Sequence, residues 1–341
     1  MTKLAPRRET RSAASSRWRL WRALLLCVAI AGGSPVSALD ESFPERPIRI
    51  IVGQGAGTTS DILARVVGAK LSEILAQPVL IEGHPGAAGT IAAATVAKAR
   101  ADGYTLLLAS SSNLALATAQ VQSLPYDPVA DFLPIRRIAR IPWALGARTT
   151  LPVKTVPQLI VYAKANPGRL TGASTGPGSA AGFGLDMLSR GAGIDILNVS
   201  YRTAAASLQG VLSGEVDMIF TDLALLAPHV KAGSMRLLAA AGHKRLRAFP
   251  DLPTLSELGI GEIVLEPWYG LAAPAGTPAH VITILDDSLA RALRSAEVRG
   301  RILELGYDPI AETAAEFSAA IRTDIARFAA AAKKAKPNPE R

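Results

Sequence analysis

The segment Gly53-Gln-Gly55-Ala56-Gly57-Thr58-Thr59-Ser60-Asp61 gathers residue types that can hold an anion without a formal positive charge. Glycines let the backbone turn so that successive N–H groups point into one concavity. A helix starting at Asp61 adds unpaired donors and the positive end of its dipole. Thr58, Thr59 and Ser60 supply hydroxyl donors, and Asp61 either caps the helix or fixes the loop. Such a loop suits a carboxylate or a phosphate. A tight turn with a good N-cap is its plainer reading. Dinucleotide binding is a third, because Gly55-x-Gly57-x-x-Ser60 approximates G-x-G-x-x-G and Glu82 follows where a ribose-binding acid would sit. Serine in place of the third glycine argues against it.

Two more segments repeat the chemistry. Ser110-Ser111-Ser112-Asn113 follows one apolar run, and Ala173-Ser174-Thr175-Gly176-Pro177-Gly178-Ser179 follows another. Ligands of open α/β sheets bind outside the carboxyl ends of the strands. Three such loops predict a polar, mostly uncharged pocket. Catalytic constellations are missing. His84, His229, His243 and His280 are scattered without metal-ligand spacing. Ser110 to Ser112 lack a G-x-S-x-G elbow, and Asp217 and Asp222 form no evident acid–base pair. No catalytic residue, metal or cofactor is predicted. Trp143 is read as core, and Trp268 as core or cleft wall.

The elements that would position these loops alternate along the chain. Ile48–Val52, Val79–Ile81 and Thr105–Ala109 read as strands, with helices at Asp61–Leu75 and Thr90–Ala99. Further units are Ile196–Val199 with Ala204–Leu212, and Val216–Phe220 with Leu223–Lys231. This alternation predicts an α/β fold with parallel sheets covered on both faces. Arg140–Ala147 and Ile263–Ala273 read as two extended crossings. If both cross, 39–142 plus 267–341 form one lobe and 143–266 an inserted second lobe, with strand-like hinges between them. Two lobes in simple sequence remain the alternative.

The first 38 residues carry seven bases, a short apolar run at Ala23–Ala31 and a small-x-small site at Val36-Ser37-Ala38. That is the pattern of a secretory signal peptide, with cleavage expected after Ala38. The run is too short to span a membrane. Seven of the 37 basic residues and one of the 28 acids lie there, so the remainder carries a formal net charge of only +3. A nucleic-acid partner is thereby not supported. The single cysteine, Cys27, sits in the apolar run, which leaves the exported part without a thiol.

Many motifs occur in one order over nearly the whole chain. They include Phe43-Pro-x-Arg-Pro-Ile-Arg-Ile-Ile-Val52, Asp61-Ile-Leu-Ala-Arg65, Pro85-Gly86-Ala-x-Gly89 and Asp102-Gly-Tyr-Thr-Leu-Leu-Leu108. Leu124-Pro-Tyr-Asp-Pro128, Leu212-x-Gly214-x-Val-Asp217 and Trp268-Tyr-Gly-Leu-x-Ala-Pro-Ala-Gly-Thr-Pro278 follow. The chain resembles the Bug (Bordetella uptake gene) family of tripartite tricarboxylate transporter receptors. The resemblance implies a type II periplasmic-binding-protein fold and a carboxylate held by loop amides, hydroxyls and waters. It also implies delivery to membrane permease subunits by a periplasmic, non-catalytic protein, expected to be monomeric. Tyr201 matches a family tyrosine, and Thr221-Asp222 stands where the family commonly has Asp-Asn. Losing the acid at 221 weakens an amino-acid ligand. The site expected is therefore Gly55 to Thr59 with Asp61, Ser110 to Ser112, Ser174, Thr175, Gly178, Ser179, Tyr201, Thr221 and Asp222. A periplasmic sensor subunit and, more remotely, a Rossmann-type oxidoreductase are the competing functions.

Overall fold

The computed structural model describes residues 43–176, 179–260 and 264–334. The expected signal segment, its cleavage point and Gly178 lie outside them. The described residues from Pro44 onward form one compact unit. Its strands build two sheets. The first has the order β11-β4-β10-β3-β1-β2, from β1 (Ile48–Val52), β2 (Val79–Gly83), β3 (Thr105–Ser110), β4 (Phe132–Arg140), β10 (Trp268–Pro274) and β11 (Asp308–Glu312). The second has the order β7-β6-β8-β5-β9, from β5 (Trp143–Arg148), β6 (Thr171–Ser174), β7 (Leu197–Ser200), β8 (Met218–Asp222) and β9 (Met235–Ala240).

Local sequence sets the helix starts. Thr58 caps α1 (Thr59–Leu75) by accepting from the Asp61 amide at 3.4 Å. Ser179 caps α4 (Ala180–Ala192) through Gly182 at 3.0 Å, and Thr203 caps α5 (Ala204–Ser213) through Ala206 at 3.1 Å. Each cap satisfies a donor that the first turn leaves unpaired. The other helices of eight residues or more are α2 (Thr90–Ala97), α3 (Val156–Ala165), α6 (Leu223–Lys231), α7 (Ala279–Arg294), α8 (Ala296–Glu304) and α9 (Ala314–Lys334).

Strand β1 lies between β2 and β3, and its Ile48, Ile50, Ile51 and Val52 are all buried. It runs parallel to β2 and β3, as the alternating pattern requires. The sheets are mixed, however, and not wholly parallel as the sequence suggested. β10 lies antiparallel between β3 and β4, and β5 lies antiparallel between β8 and β9. The cause is connectivity. β4 leads through Ile141-Pro142 straight into β5 of the other sheet, and residues 241–267 lead from β9 into β10. Strands entering along those passages run against the βαβ units beside them. The two passages are hydrogen-bonded to each other, Ile141 N–H to Pro267 O at 2.7 Å and Leu265 N–H to Ala241 O at 2.6 Å holding the second one in shape.

Candidate ligand-binding site

A cavity of about 350 Å³ opens between strand ends of both sheets, within the usual size range for small-molecule sites. From the first sheet come Gly53, Gln54 and Ser60 after β1, Ala88 and Gly89 before α2, and Ser110, Ser112 and Asn113 after β3. From the second come Ser174, Thr175 and Ser179 after β6, and Thr221 and Asp222 at the end of β8. Trp143, Ser207 and Tyr269 also stand in the walls.

Its electrostatics come from the backbone. Ser60 in the first turn of α1, Gly89 at the N-cap position of α2, Ala180 and Ala181 opening α4, Ala204 opening α5 and Asp222 at the N-cap position of α6 all border the cavity. Helix N-termini carry unpaired N–H groups and a partial positive charge. Among the described residues, no Lys, Arg or His lines it. Anion attraction here is thus assigned to dipoles and hydroxyls.

The loops are held in shape by their own bonds. Ser110 and Asn113 bond reciprocally, each amide donating to the other's side-chain oxygen, at 2.8 and 3.2 Å. The Ser174 hydroxyl donates to Asn198 Oδ1 at 2.7 Å and accepts from Gly176 N–H at 3.0 Å. Gly53 packs against Gly89 so closely that a Cβ on it would lie 2.6 Å from the Gly89 Cα. The turn preceding α2 holds Gly86, Ala87, Ala88 and Gly89 at successive positive φ of 131°, 45°, 55° and 88°. Two alanines in the left-handed region are strained, a feature that clusters at functional sites.

Of the residues singled out from sequence, Ser110, Ser112, Ser174, Thr175, Ser179, Thr221 and Asp222 border the cavity. Gly55, Ala56, Gly57, Thr58, Thr59, Asp61, Ser111 and Tyr201 are not among its lining residues. Several of these fix the first loop from behind. The buried Asp61 carboxylate accepts from Gly57 N–H at 2.9 Å and from Arg65 at 2.9 and 3.0 Å. Arg65 holds its pKa below the usual carboxylate value, with the Gly57 amide assisting against the opposing effect of burial. Thr58 donates to Gly55 O at 2.8 Å. Ser111 is buried at the start of the helical turn Ser112–Leu116, and the Tyr201 hydroxyl is buried against Gly210.

Gln54, Ser60 and Asn113 lie in the loops singled out from sequence but outside the site expected there, and Ala88, Gly89, Ser207 and Tyr269 were passed over as wall residues. Trp143, read as core, also lines the cavity, while Trp268 is the buried one. The Trp268 indole donates to Asp324 at 2.7 Å. Glu82, which a dinucleotide site would need free for a ribose, is clamped by Arg49 through two bonds of 2.6 Å. Among the described residues, no His, Cys, Asp and Glu side chains group as a metal site.

Two α/β sheets that share one cavity across paired chain passages define a two-lobed solute-binding receptor. The chain belongs to the tripartite tricarboxylate transporter receptor family, whose model matches residues 63–336. It is similar to protein BugT of Bordetella pertussis, 33% identical over 313 residues covering 91% of this chain and 95% of the relative. Among solved structures it resembles Rpa4515 of R. palustris with adipate, at 32% identity and a TM-score of 0.75, covering 85% and 97% of the two chains. The periplasmic binding protein BugD matches at 29% identity and a TM-score of 0.71, covering 86% and 98%. Membership of this family makes the chain a solute-binding receptor and not an enzyme.

Proposed function

We propose that the chain captures a small organic carboxylate (a di- or tricarboxylate, or an aromatic one) in this cavity and delivers it to the permease subunits of a tripartite tricarboxylate-type transporter. The observation that carries the reading is a ring of helix N-termini and hydroxyls with no basic side chain among its lining residues. Such a ring pairs with a carboxylate through many moderate hydrogen bonds and spares the desolvation of an arginine. The adipate complex of a relative 32% identical supports the ligand class. Capture takes place in the periplasm, after removal of residues 1–38, and the two sheets with their helices act as lobes that close on the ligand. Lobe 1 comprises 39–142 plus 267–341, and lobe 2 comprises 143–266.

Thermal unfolding with a panel of aliphatic dicarboxylates, tricarboxylates, aromatic carboxylates, amino acids and NAD tests this. A ligand at 100 times its Kd adds about 2.7 kcal/mol of stability, which raises the Tm of a chain of about 300 residues by roughly 4 °C. The expected response is to carboxylates, accompanied by a change in Trp143 fluorescence. Stabilisation by NAD with no response to any carboxylate refutes the reading.

A further inference from the structure

Among the described residues, Asp222 is the only carboxyl group lining the cavity, and none of those lining residues is a cation that neutralises it. It ends β8, opposite Trp143 of β5, and occupies the N-cap position of α6. An aspartate at that position ordinarily accepts from its own helix's first amides. This one makes no such cap bond, so the carboxyl is left to the cavity. Beside it, the Trp143 indole N–H is buried without a hydrogen-bond partner. It lies near enough to favour the ionised carboxyl yet makes no hydrogen bond to it.

An ionised Asp222 contradicts the rest of the site. Two unit charges about 4 Å apart at an effective dielectric of about 20 repel strongly enough to remove roughly three powers of ten in affinity. The neutral acid instead has an O–H to donate, and a carboxylate is the acceptor that rewards it most. Resting on the carboxylate reading above, we propose that Asp222 determines specificity as a proton carrier. It enters the complex as the neutral acid and donates its O–H to the ligand carboxylate, so that capture of each anion takes up one proton.

The proton is within reach near neutral pH, because burial pushes the carboxyl up to about 6 and only the Trp143 indole opposes it. The other ionisable groups that sense it are Tyr269 of β10 and Tyr307, just before β11. Burial raises both phenols, so both stay neutral. The remaining neighbours along its own helix and strand, Thr221, Leu223 and Leu225, do not titrate.

Calorimetric titration of the purified protein with adipate, succinate and benzoate tests this between pH 6.5 and 8.5, where all three stay ionised. If only the protonated form of a group of pKa about 6 binds, affinity falls by about 80-fold across that window. At pH 7.5, buffers of different ionisation enthalpy should report uptake of nearly one proton per ligand. Asp222→Asn, confirmed folded by cooperative unfolding, should bind with an affinity flat in pH and no proton uptake. A flat wild-type affinity without uptake overturns the proposal, as does a variant that keeps the wild-type pH dependence. So does an amino acid that binds the wild type and is lost in Asp222→Asn, since that assigns the ionised form to a ligand ammonium. If none of the three carboxylates binds at any pH, the carboxylate reading itself falls and takes the proposal with it.

Discussion

Asp222→Asn should make the unliganded protein more stable at neutral pH, and the size of the gain follows from the environment of the side chain. Burial moves the carboxyl from 3.8 to about 6 on folding. A shift of about 2 units is worth roughly 3 kcal/mol. The sign is set by which state holds the proton. Below about pH 4 both folded and unfolded chains are neutral at this position, and Asp222 neither helps nor harms. Between about 4 and 6 the folded state binds a proton that the unfolded state has lost, so stability falls as pH rises. Above about 6 both are ionised and the full penalty stands. An asparagine has nothing to ionise, so the variant escapes it. The expected gain is about 2–3 kcal/mol at pH 7.5, shrinking to about 0.5 kcal/mol at pH 4. Urea unfolding followed by tryptophan fluorescence measures it, provided the slope m is unchanged so that both proteins expose the same surface. Acid-induced losses common to both cancel in the difference. A variant less stable than wild type at pH 7.5, or a gain equal at pH 4 and 7.5, refutes the reasoning.

Two further outcomes are expected elsewhere. Asp217 is buried and accepts from Arg148 at 2.9 and 2.7 Å and from the Thr171 amide and hydroxyl at 2.8 and 2.9 Å, tying β5, β6 and β8 together. Asp217→Ala leaves those donors without their acceptor and should cost about 3 kcal/mol in urea unfolding; a loss below about 1 kcal/mol would show that water replaces the carboxylate. Gly53→Ala places a Cβ 2.6 Å from the Gly89 Cα, so two cavity-forming segments must part. It should lower stability by about 1–3 kcal/mol and weaken carboxylate binding measurably in calorimetry. Unchanged affinity in a folded variant would mean that this close approach does not shape the site.

Much of this architecture was legible because strand and helix periods are local. Ile48–Val52 and Leu223–Lys231 were bounded from sequence to the residue, and α1 began two residues before Asp61. The expectation that strand-end loops meet at one place rested on a topological rule, and Ser110, Ser174 and Thr221 do share the cavity. What escaped depends on distant pairing. Asp308-Pro-Ile-Ala-Glu312 has no strand pattern of its own. It pairs as an edge with β4, where the Glu312 carboxylate meets Arg137 and Arg140. Tyr269 reaches the cavity because β10 inserts between β3 and β4, more than 120 residues earlier in the chain. Ser207 faces inward because α5 packs on β6, where its hydroxyl donates to Ser174 O at 3.1 Å. Neither placement leaves a mark in the neighbouring sequence.

The division of labour in the cavity also explains why its chemistry is faint in the sequence. On the carboxylate reading proposed above, attraction for the anion comes from helix N-termini, and a backbone amide has no residue type to announce it. Only the caps are visible, as Thr58, Ser179 and Thr203. Selection among anions is left to the few side chains that face the ligand space, and Asp222 is the one whose charge can change near neutral pH. Helix dipoles do not titrate, and among the described residues no lysine, arginine or histidine lines the cavity to do so. A receptor built on lysines or histidines would lose affinity through their deprotonation, whereas here the attractive part is constant with pH. Any slope in affinity between pH 6.5 and 8.5, for a ligand whose own charge is fixed, therefore reports on Asp222.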